Sequence, residues 1–422
     1  MRPVLIVMAA LLLAASAHAQ DREGSPGSRV AAKPLDNPDK GAEPQKKEAA
    51  KPAQPMVFFI ATGDPDACGA GCSAWIAAEG RIDDGTPGRL RALLARLGKR
   101  KLPIYFYSPG GAVDAALAMG RMLRAHNLTA GVARTIPQGC DPELAHEPSC
   151  DTLKRSGREL AAELRTRGAA CNSACVYALL GATVREVPVD ASLGVHSISI
   201  LQTVTRRNGD GRVVATSSTR VTGDAPSIRT AHGRVARYAA EMGISRALVD
   251  AAAAVPADTV RFITREEIAQ FGIDKREFIE TRWTADTGTT GSFAKLVMEA
   301  RPNEPKRYGI TMVRLGCSRR MIDMRLSRRA TVLDKASLIV AKAGDREISF
   351  GPARSWLDPK GEETDTRIAR VPIYFLERTV ARDTVELIEA TSYATMNTPV
   401  HRTSLSTAGF APLLSTLLQK CQ

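Results

Sequence analysis

The chain has 422 residues, and its 58 Lys and Arg against 45 Asp and Glu give a formal net charge of +13. Aromatic residues make up only 5% of the sequence, which disfavours a carbohydrate or single-stranded nucleic-acid surface built on ring stacking. The 44% hydrophobic content is typical of a globular protein.

Residues 1–19 have the pattern of a secretory signal peptide. One early positive charge precedes an apolar run at residues 4–15, and an A-x-A cleavage pattern ends at Ala19. The run is too short to cross a bilayer, so we expect no transmembrane span in the mature chain and a periplasmic location. An exported basic protein would meet anionic envelope components, and the export pattern argues against a nucleic-acid partner.

The next segment, residues 20–55, is predicted to be a disordered linker. It is rich in Pro, Lys, Glu, Ala and Gly and has almost no large apolar side chains to bury. Roughly 365 residues follow, which exceeds a usual single core. We therefore expect two domains, at residues 56–283 and 292–422, joined by a polar segment near residues 284–291.

Strand-like and helical segments alternate in the first of these regions. Such alternation predicts an α/β domain with parallel strands joined by helical crossovers. The predicted segments are, in order, 56–61, 87–97, 102–107, 112–125 and 129–134.

An insertion at residues 136–168 interrupts this alternation. It contains a charged run at residues 152–167 that reads as a helix, and it is expected near the mouth of a site as a lid or specificity element. Further along, residues 206–227 are polar with a central Asn-Gly-Asp-Gly turn, which predicts an exposed hairpin.

A glycine pair follows the predicted strand at residues 102–107. The strand ends in Ser-Pro followed by Gly110 and Gly111, and a helix is predicted to begin directly afterwards. Glycines here let backbone N–H groups approach a reacting oxygen without a side chain in the way. This loop is therefore a candidate oxyanion hole.

A second stretch supplies a nucleophile and a base. Residues 173–180 begin with Ser173 and continue with small and apolar residues, which predicts a buried helix with free N–H groups in its first turn. Residues 193–200 read as a strand that carries His196. A serine that begins a helix is most often only a cap, so the two residues gain significance only together with the glycine loop.

Four segments resemble the Clp-type serine peptidases of the crotonase-like superfamily. Residues 108–122 (SPGGAVDAALAMGRM) match the oxyanion loop, residues 173–180 (SACVYALL) the nucleophile helix, residues 194–196 the base-bearing strand, and residues 261–274 the end of that fold. The likeness spans about residues 56–280 and is nearest to secreted Clp-like bacterial proteins with paired cysteines around the nucleophile. It implies a Clp/crotonase-like domain of ββα repeats.

The resemblance also implies an activity, that of a serine peptidase or related acyl hydrolase acting on a peptide or protein without a cofactor. Ser173 would attack the carbonyl, His196 would take its proton, and the amides of Gly111 and Ala174, with Gly110 as a further candidate, would hold the oxyanion. The alternative is a catalytically inactive relative that binds a peptide or envelope partner. The sequence leaves the oligomeric state, including a homo-oligomer, open.

The third member of a triad is less well defined by the sequence. The family's Asp aligns with Pro256, and Asp258 two residues beyond is the candidate to orient the imidazole of His196. Lys154 is an alternative base if the insertion folds inward, although a solvated helix face is the ordinary interpretation. His126, His146 and His232 have no context that distinguishes them from surface residues.

The region from residue 292 is predicted to be a small antiparallel sandwich or barrel that serves in binding or packing. Residues 404–419 read as an amphipathic closing helix. The predicted strands are 308–315, 321–325, 336–341, 346–350, 369–375 and 384–390.

The chain has eight cysteines, an even number that favours disulfides in an exported protein. Zinc is disfavoured, and no metal is expected, because no histidine lies close to either C-x3-C pair. An i to i+4 bridge is near the upper limit of disulfide geometry on a regular helix, so a bridge from Cys171 or Cys175 to Cys68 or Cys72 stays open. The pairs that the spacing favours are Cys68 with Cys72, Cys140 with Cys150, Cys171 with Cys175, and Cys317 with Cys421.

Overall fold

A computed structural model describes residues 45–46, 54–141, 143–144, 147–286, 291–301, 304–318, 320–329, 338–357 and 363–421. The predicted signal peptide, nearly all of the predicted linker and half of the polar segment near residues 284–291 lie outside these residues. Within the described ranges the protein has a mixed α/β structure with several separate sheets. No helix in those ranges is long and apolar enough to span a bilayer.

The first group of elements runs from residue 45 to residue 165. It consists of β1 (Gln45–Lys46), β2 (Val57–Thr62), β3 (Ala74–Glu79), α1 (Thr86–Leu97), β4 (Ile104–Tyr107), α2 (Val113–Ala125), β5 (Thr129–Val132), β6 (Arg134–Pro137), α3 (Pro148–Lys154) and β7 (Leu160–Arg165). The next group is β8 (Ala170–Asn172), α4 (Ala174–Leu180), β9 (Val184–Glu186), β10 (Ser192–Val195), β11 (Ile200–Arg207), β12 (Val213–Val221), α5 (Pro226–Glu241), α6 (Ala247–Ala253), β13 (Thr259–Phe262) and α7 (Arg265–Gln270).

The larger sheet of this part has the strand order β6-β7-β2-β3-β4-β5-β9. The pairs β3–β4, β4–β5 and β5–β9 are parallel, and α1 and α2 are the crossovers between the first three of these strands. The predicted parallel pairing with a helical crossover is therefore confirmed for β4 and β5, whereas β2 pairs antiparallel with β3, a strand that the sequence did not predict. Helix α1 buries Leu90, Leu93, Leu94 and Leu97, whose 3–4 residue spacing puts them on one face against the sheet.

A smaller sheet positions the candidate site. Its order is β1-β13-β10-β8, and β8 runs parallel to β10, with Leu193 opposite Cys171 and Gly194 opposite Asn172. The end of β4 joins the same edge, because Ser108 forms a parallel bridge with Cys171. Three chain segments therefore end side by side in the same direction, just before Gly110, Ser173 and His196.

Several sequence predictions differ from the structure of this part. The run at residues 152–167 is not one helix: α3 ends at Lys154, and β7 pairs in parallel with β2 and antiparallel with β6. The strand predicted at residues 193–200 ends at Val195, so His196 follows the strand. The hairpin begins and ends earlier in the chain than predicted, because β11 starts at Ile200 and β12 ends at Val221.

The remaining elements form two antiparallel sheets with the orders β14-β16-β17-β18-β22-β21, where β15 also pairs with β16, and β20-β19-β23-β24. Both contribute to one apolar core, for example Leu326 and Leu387. The elements are β14 (Phe278–Glu280), β15 (Thr284–Ala285), β16 (Phe293–Arg301), β17 (Glu304–Ser318), β18 (Met321–Arg329), β19 (Leu338–Ala343), β20 (Arg346–Ser349), β21 (Arg354–Leu357), β22 (Glu363–Arg370), α8 (Ile373–Val380), β23 (Thr384–Ala390), β24 (His401–Ser406) and α9 (Phe410–Cys421).

Two predictions for this region were wrong at their boundaries. The strand predicted at residues 369–375 is the end of β22 followed by α8, because Pro372 interrupts the ladder and begins the helix. The closing helix begins at Phe410 rather than at residue 404, since residues 401–406 form β24 and pair with β23.

All eight cysteines are paired in the structure, in the four pairs that the spacing favours: Cys68–Cys72, Cys140–Cys150, Cys171–Cys175 and Cys317–Cys421. The alternative bridge between the two C-x3-C pairs is not formed. Cys171 lies in β8 and Cys175 in α4, so their bridge joins a strand to a helix rather than two positions of one helix. This removes the geometric objection to an i to i+4 bridge.

Candidate active site

Ser173 occupies the turn between β8 and α4 in an unusual backbone conformation. Its φ is 57° and its ψ is −126°, and its N–H donates to the carbonyl of Gly194 at 2.7 Å. A non-glycine residue at positive φ stores about 1–3 kcal/mol of strain, which persists only where neighbouring structure enforces it. The Ser173 hydroxyl makes no cap hydrogen bond to α4. The ordinary role of a helix-starting serine is therefore not filled here.

The glycine loop packs directly against this turn. Gly110 has a φ of 95°, and a Cβ at Gly110 would lie 2.6 Å from the Cβ of Ser173 and 2.9 Å from the nitrogen of Ala174. Gly111 has a φ of 145°, and a Cβ there would collide with the carbonyl of Ile82. Only glycine fits at either position, and the loop backbone lies beside the Ser173 turn as a result.

The backbone hydrogen bonds of the loop fix the direction of its amides. Ile82 N–H donates to the Gly110 carbonyl at 2.9 Å, and Ala112 N–H donates to the Ile82 carbonyl at 2.9 Å. Because no peptide bond in the described residues is cis, the Gly111 N–H points opposite to the Gly110 carbonyl, away from Ile82. Gly110 N–H instead donates to Ser108 Oγ at 3.1 Å. Of the two glycine amides, that of Gly110 is therefore bonded within its own loop, and that of Gly111 is directed away from Ile82.

His196 lies at the end of β10, next to the strand that delivers Ser173. In the parallel register Gly194 faces Asn172, so Ser173 and His196 leave adjacent strands at the same edge. The ring Nδ1 of His196 is 2.7 Å from the carbonyl oxygen of Ser197. Since a carbonyl can only accept, Nδ1 carries the proton in this arrangement, and Nε2 is the basic nitrogen of the neutral ring. This is the tautomer that a general base requires.

The other predicted base, Lys154, and the candidate carboxylate, Asp258, lie on two further segments. Asp258 is exposed in the turn before β13, the strand that pairs with β10 and places Arg261 opposite Val195. Lys154 Nζ forms an ion pair with Glu79 at 2.6 Å, with its side chain 15% exposed. The solvated helix face expected for Lys154 is thus wrong. Glu79 in turn accepts from the Thr135 N–H at 2.6 Å, so Lys154 belongs to a buried structural cluster.

Two residues that the sequence did not single out, Ser197 and His232, contact each other, and Ser197 is next to His196 in the chain. Ser197 is 9% exposed, its N–H donates to the Val255 carbonyl at 2.8 Å, and its Oγ is 3.3 Å from Nε2 of His232 on α5. Burial lowers the pKa of His232, while the charge of Asp250 acts in the opposite direction. No sequence signal identifies this pair, because 35 residues separate the two partners.

A disulfide brackets the nucleophile turn. Cys171 and Cys175 are both fully buried, and their Cα atoms are 5.3 Å apart on either side of Ser173. Among the residues that the structure describes, no group of three or more His, Cys, Asp or Glu side chains is placed to hold a metal ion. The groups that the strand ends and the glycine loop bring to this edge are a hydroxyl, an imidazole and backbone amides.

No family model matches the chain, and no curated protein matches it. Solved structures with partial similarity include a variant of the 1510-N membrane-bound stomatin-specific protease (15% identity, 47% of this chain and 75% of that chain, TM-score 0.28). A second variant of that protease, in complex with a substrate peptide, gives 13% identity, 47% and 71% coverage and a TM-score of 0.27. ClpP1 from Listeria monocytogenes gives 15% identity, 46% and 85% coverage and a TM-score of 0.27.

Proposed function

We propose that the protein is an exported serine hydrolase with a peptidase-like site, carried by a Clp/crotonase-like domain at residues 56–283. The observation that carries the proposal is Ser173, held at positive φ in a strand-to-helix turn with its hydroxyl unused as a cap and the backbone of Gly110 packed against it. Structural serines have no need of such strain, whereas strained residues cluster at active sites.

The proposed reaction is acyl transfer to Ser173. Its Oγ attacks the substrate carbonyl while Nε2 of His196 accepts the hydroxyl proton and later delivers it to the leaving amine. The N–H groups of Gly111 and Ala174 stabilise the oxyanion of the tetrahedral intermediate. Water then hydrolyses the acyl-enzyme with His196 again as the base. The Ser197 carbonyl holds Nδ1, which is the role that a carboxylate plays in a triad.

Export to the periplasm is part of the proposal. Four disulfides favour an oxidising compartment, and residues 1–19 have the composition of a signal peptide. The β-rich domain at residues 292–422, with its closing helix, is proposed to bind or pack against a partner. A peptide or protein is the proposed substrate, with anionic envelope material as a further partner of the basic chain.

A fluorophosphonate probe with mass-spectrometric mapping of the adduct tests the proposal. Ser108 and Ser197 lie on the segments that carry Gly110 and His196, and only Ser173 is expected to carry the adduct. Ser173→Ala should abolish labelling, while Ser227→Ala, at an exposed position of α5, should label as the wild type does. An adduct on Ser197, or no adduct on folded wild-type protein, would contradict the proposal. The second result would favour a catalytically inactive peptide-binding protein.

A further inference from the structure

Ser197 is fixed at three points, although it is not itself a candidate nucleophile. Its N–H donates to the Val255 carbonyl, its carbonyl accepts from Nδ1 of His196, and its Oγ contacts Nε2 of His232. The carbonyl that sets the His196 tautomer therefore belongs to a residue whose side chain is held by α5. We expect movements of the Ser197 side chain and backbone to be coupled, because the residue is only 9% exposed and close packing leaves it little room to move.

The hydrogen bond between His232 and Ser197 has a preferred direction. Burial lowers the pKa of His232 and so favours the neutral ring, which carries one N–H. Nδ1 of His232 is buried and has no hydrogen-bond partner among the described residues. A proton on Nδ1 would leave a buried donor unsatisfied, which costs more than an unused lone pair. The favoured tautomer therefore has Nε2–H donating to Ser197 Oγ.

We propose that His232 is a positioning residue that orients the imidazole of His196 through Ser197. The inference rests on the proposed function for its catalytic consequence, but the orientation itself is measurable without any activity. His232 replaces the carboxylate by an indirect route: it holds Ser197, and the Ser197 carbonyl holds Nδ1 of His196. Without the contact, we expect the loop at residues 196–199 to relax and the His196 ring to exchange between its two neutral tautomers.

Nitrogen-15 NMR of the histidine rings in the full chain tests the orientation. Under mildly alkaline conditions, wild-type His196, assigned by comparison with His196→Asn, should show a single neutral tautomer with the proton on Nδ1. His232→Leu removes the donor and should give a tautomer mixture, whereas His232→Gln keeps an N–H near the Nε2 position and should restore the wild-type signals. His126→Leu, at the exposed end of α2, is the matched control and should change nothing at His196.

Ser197→Ala provides a second route if His232→Leu fails to fold, because it deletes the hydroxyl without adding volume. It should give the same tautomer mixture. A wild-type spectrum with mixed tautomers, or an unchanged His196 in folded His232→Leu or Ser197→Ala, would overturn the inference.

Kinetics on an ester substrate measures the catalytic consequence. His232→Leu should lower kcat roughly tenfold, a part of the 10²–10⁴ that general base catalysis supplies, with KM unchanged. His232→Gln should recover most of kcat. A wild type without Ser173 labelling would end the proposed function while leaving the tautomer result to decide the inference. An active enzyme whose kcat is insensitive to His232→Leu would overturn it.

Discussion

Gly110 and Ser173 are in such close contact that a methyl group on Gly110 would lie 2.6 Å from the Cβ of Ser173. The same methyl group would lie 2.6 Å from the carbonyl oxygen of Asn172. Gly110→Ala must therefore push the loop away from the turn, and with it the neighbouring amide of Gly111. We expect the rate of fluorophosphonate labelling to fall on the order of 100-fold, as for loss of one oxyanion donor.

Gly98→Ala is the control for Gly110→Ala. Gly98 also has a positive φ, 57°, but a Cβ there would meet nothing within 4 Å. It should lower stability by about 1 kcal/mol through backbone strain and leave labelling unchanged. Equal labelling rates in the two variants would show that close packing of the loop is irrelevant to the site.

Backbone strain at Ser173 predicts that replacing this residue by glycine will stabilise the folded protein. Ser173→Gly relieves about 1–3 kcal/mol of backbone strain and costs about 0.5–1 kcal/mol in unfolded-state freedom, so the net gain is about 1 kcal/mol. The melting temperature should therefore rise, while labelling is lost. Ser173→Ala should lose labelling without this rise. Asn127→Gly, at φ 51°, is the comparator, with a smaller gain because asparagine tolerates this region. A lower melting temperature for Ser173→Gly than for Ser173→Ala would contradict the strain argument.

The disulfide that brackets Ser173 should matter more for activity than for stability. The Cys171–Cys175 and Cys68–Cys72 bridges have the same sequence separation of 4, so loop entropy assigns each about 2 kcal/mol. Replacing either pair by alanines should therefore lower the melting temperature by similar amounts. Only loss of the pair at 171 and 175 should slow labelling, by about tenfold or more, because it frees the turn between β8 and α4. Equal labelling rates in the two double variants would disprove this role.

A pH-dependent contact links the two sheets at the C-terminal side. Nε2 of His401 on β24 is 2.9 Å from Oε2 of Glu299 on β16, and this hydrogen bond raises the pKa of His401 above 6.5 despite the opposing effect of burial. The folded state thus binds the proton more tightly than the unfolded chain. The contact therefore stabilises the folded state fully at pH values below the ordinary pKa of histidine. This stabilisation is lost as the pH rises through the raised pKa of His401.

We therefore expect wild type to exceed His401→Gln in melting temperature at acidic pH, with the difference shrinking as the pH rises. Thermal unfolding across a pH series measures it, and Glu299→Gln should show the same trend. His126→Gln, at an exposed position, should show none. A difference between wild type and His401→Gln that does not change with pH would rule out the charged contact.

Substitution of Asp258 tests whether this carboxylate or the Ser197 carbonyl orients the ring of His196. It is exposed, and Nδ1 of His196 already donates to that carbonyl. Asp258→Asn should lower kcat less than tenfold, whereas loss of an orienting triad carboxylate costs about 10⁴. A loss near 10⁴ in a folded Asp258→Asn variant, measured on an ester substrate, would restore Asp258 to the triad.

The sequence predicted those elements whose local pattern and tertiary role agree. Helix α1 has leucines at helical spacing, and β4 is a short apolar run between breakers. The run at residues 160–165 (LAAELR) consists of strong helix formers, yet it is a strand because β2 and β6 flank it. Pairing with two neighbours outweighs intrinsic propensity here, and nothing local reveals it.

In the candidate site, too, local sequence predicted some features, and contacts between distant segments determined the others. The sequence pattern could place Ser173 at the start of a predicted helix and His196 on a predicted strand. It could not predict the positive φ of Ser173, which depends on packing against Gly110 and a bond to Gly194. Likewise, His232 looked like a surface residue because its partner Ser197 lies in a different element. Contacts between distant segments have no signature in a single sequence.

The hairpin of β11 and β12 leaves and rejoins the fold at one point, since Ile200 is paired with Val221. Residues 201–220 are exposed on both strands and at the tip, so little of the core depends on them. The tip at residues 208–211 is therefore suited to carry a foreign epitope or a fluorophore, and the whole ribbon could be replaced by a tight turn. A fluorophore at the tip would be attached to a hairpin that begins a few residues after His196, and it would leave His196 itself unchanged.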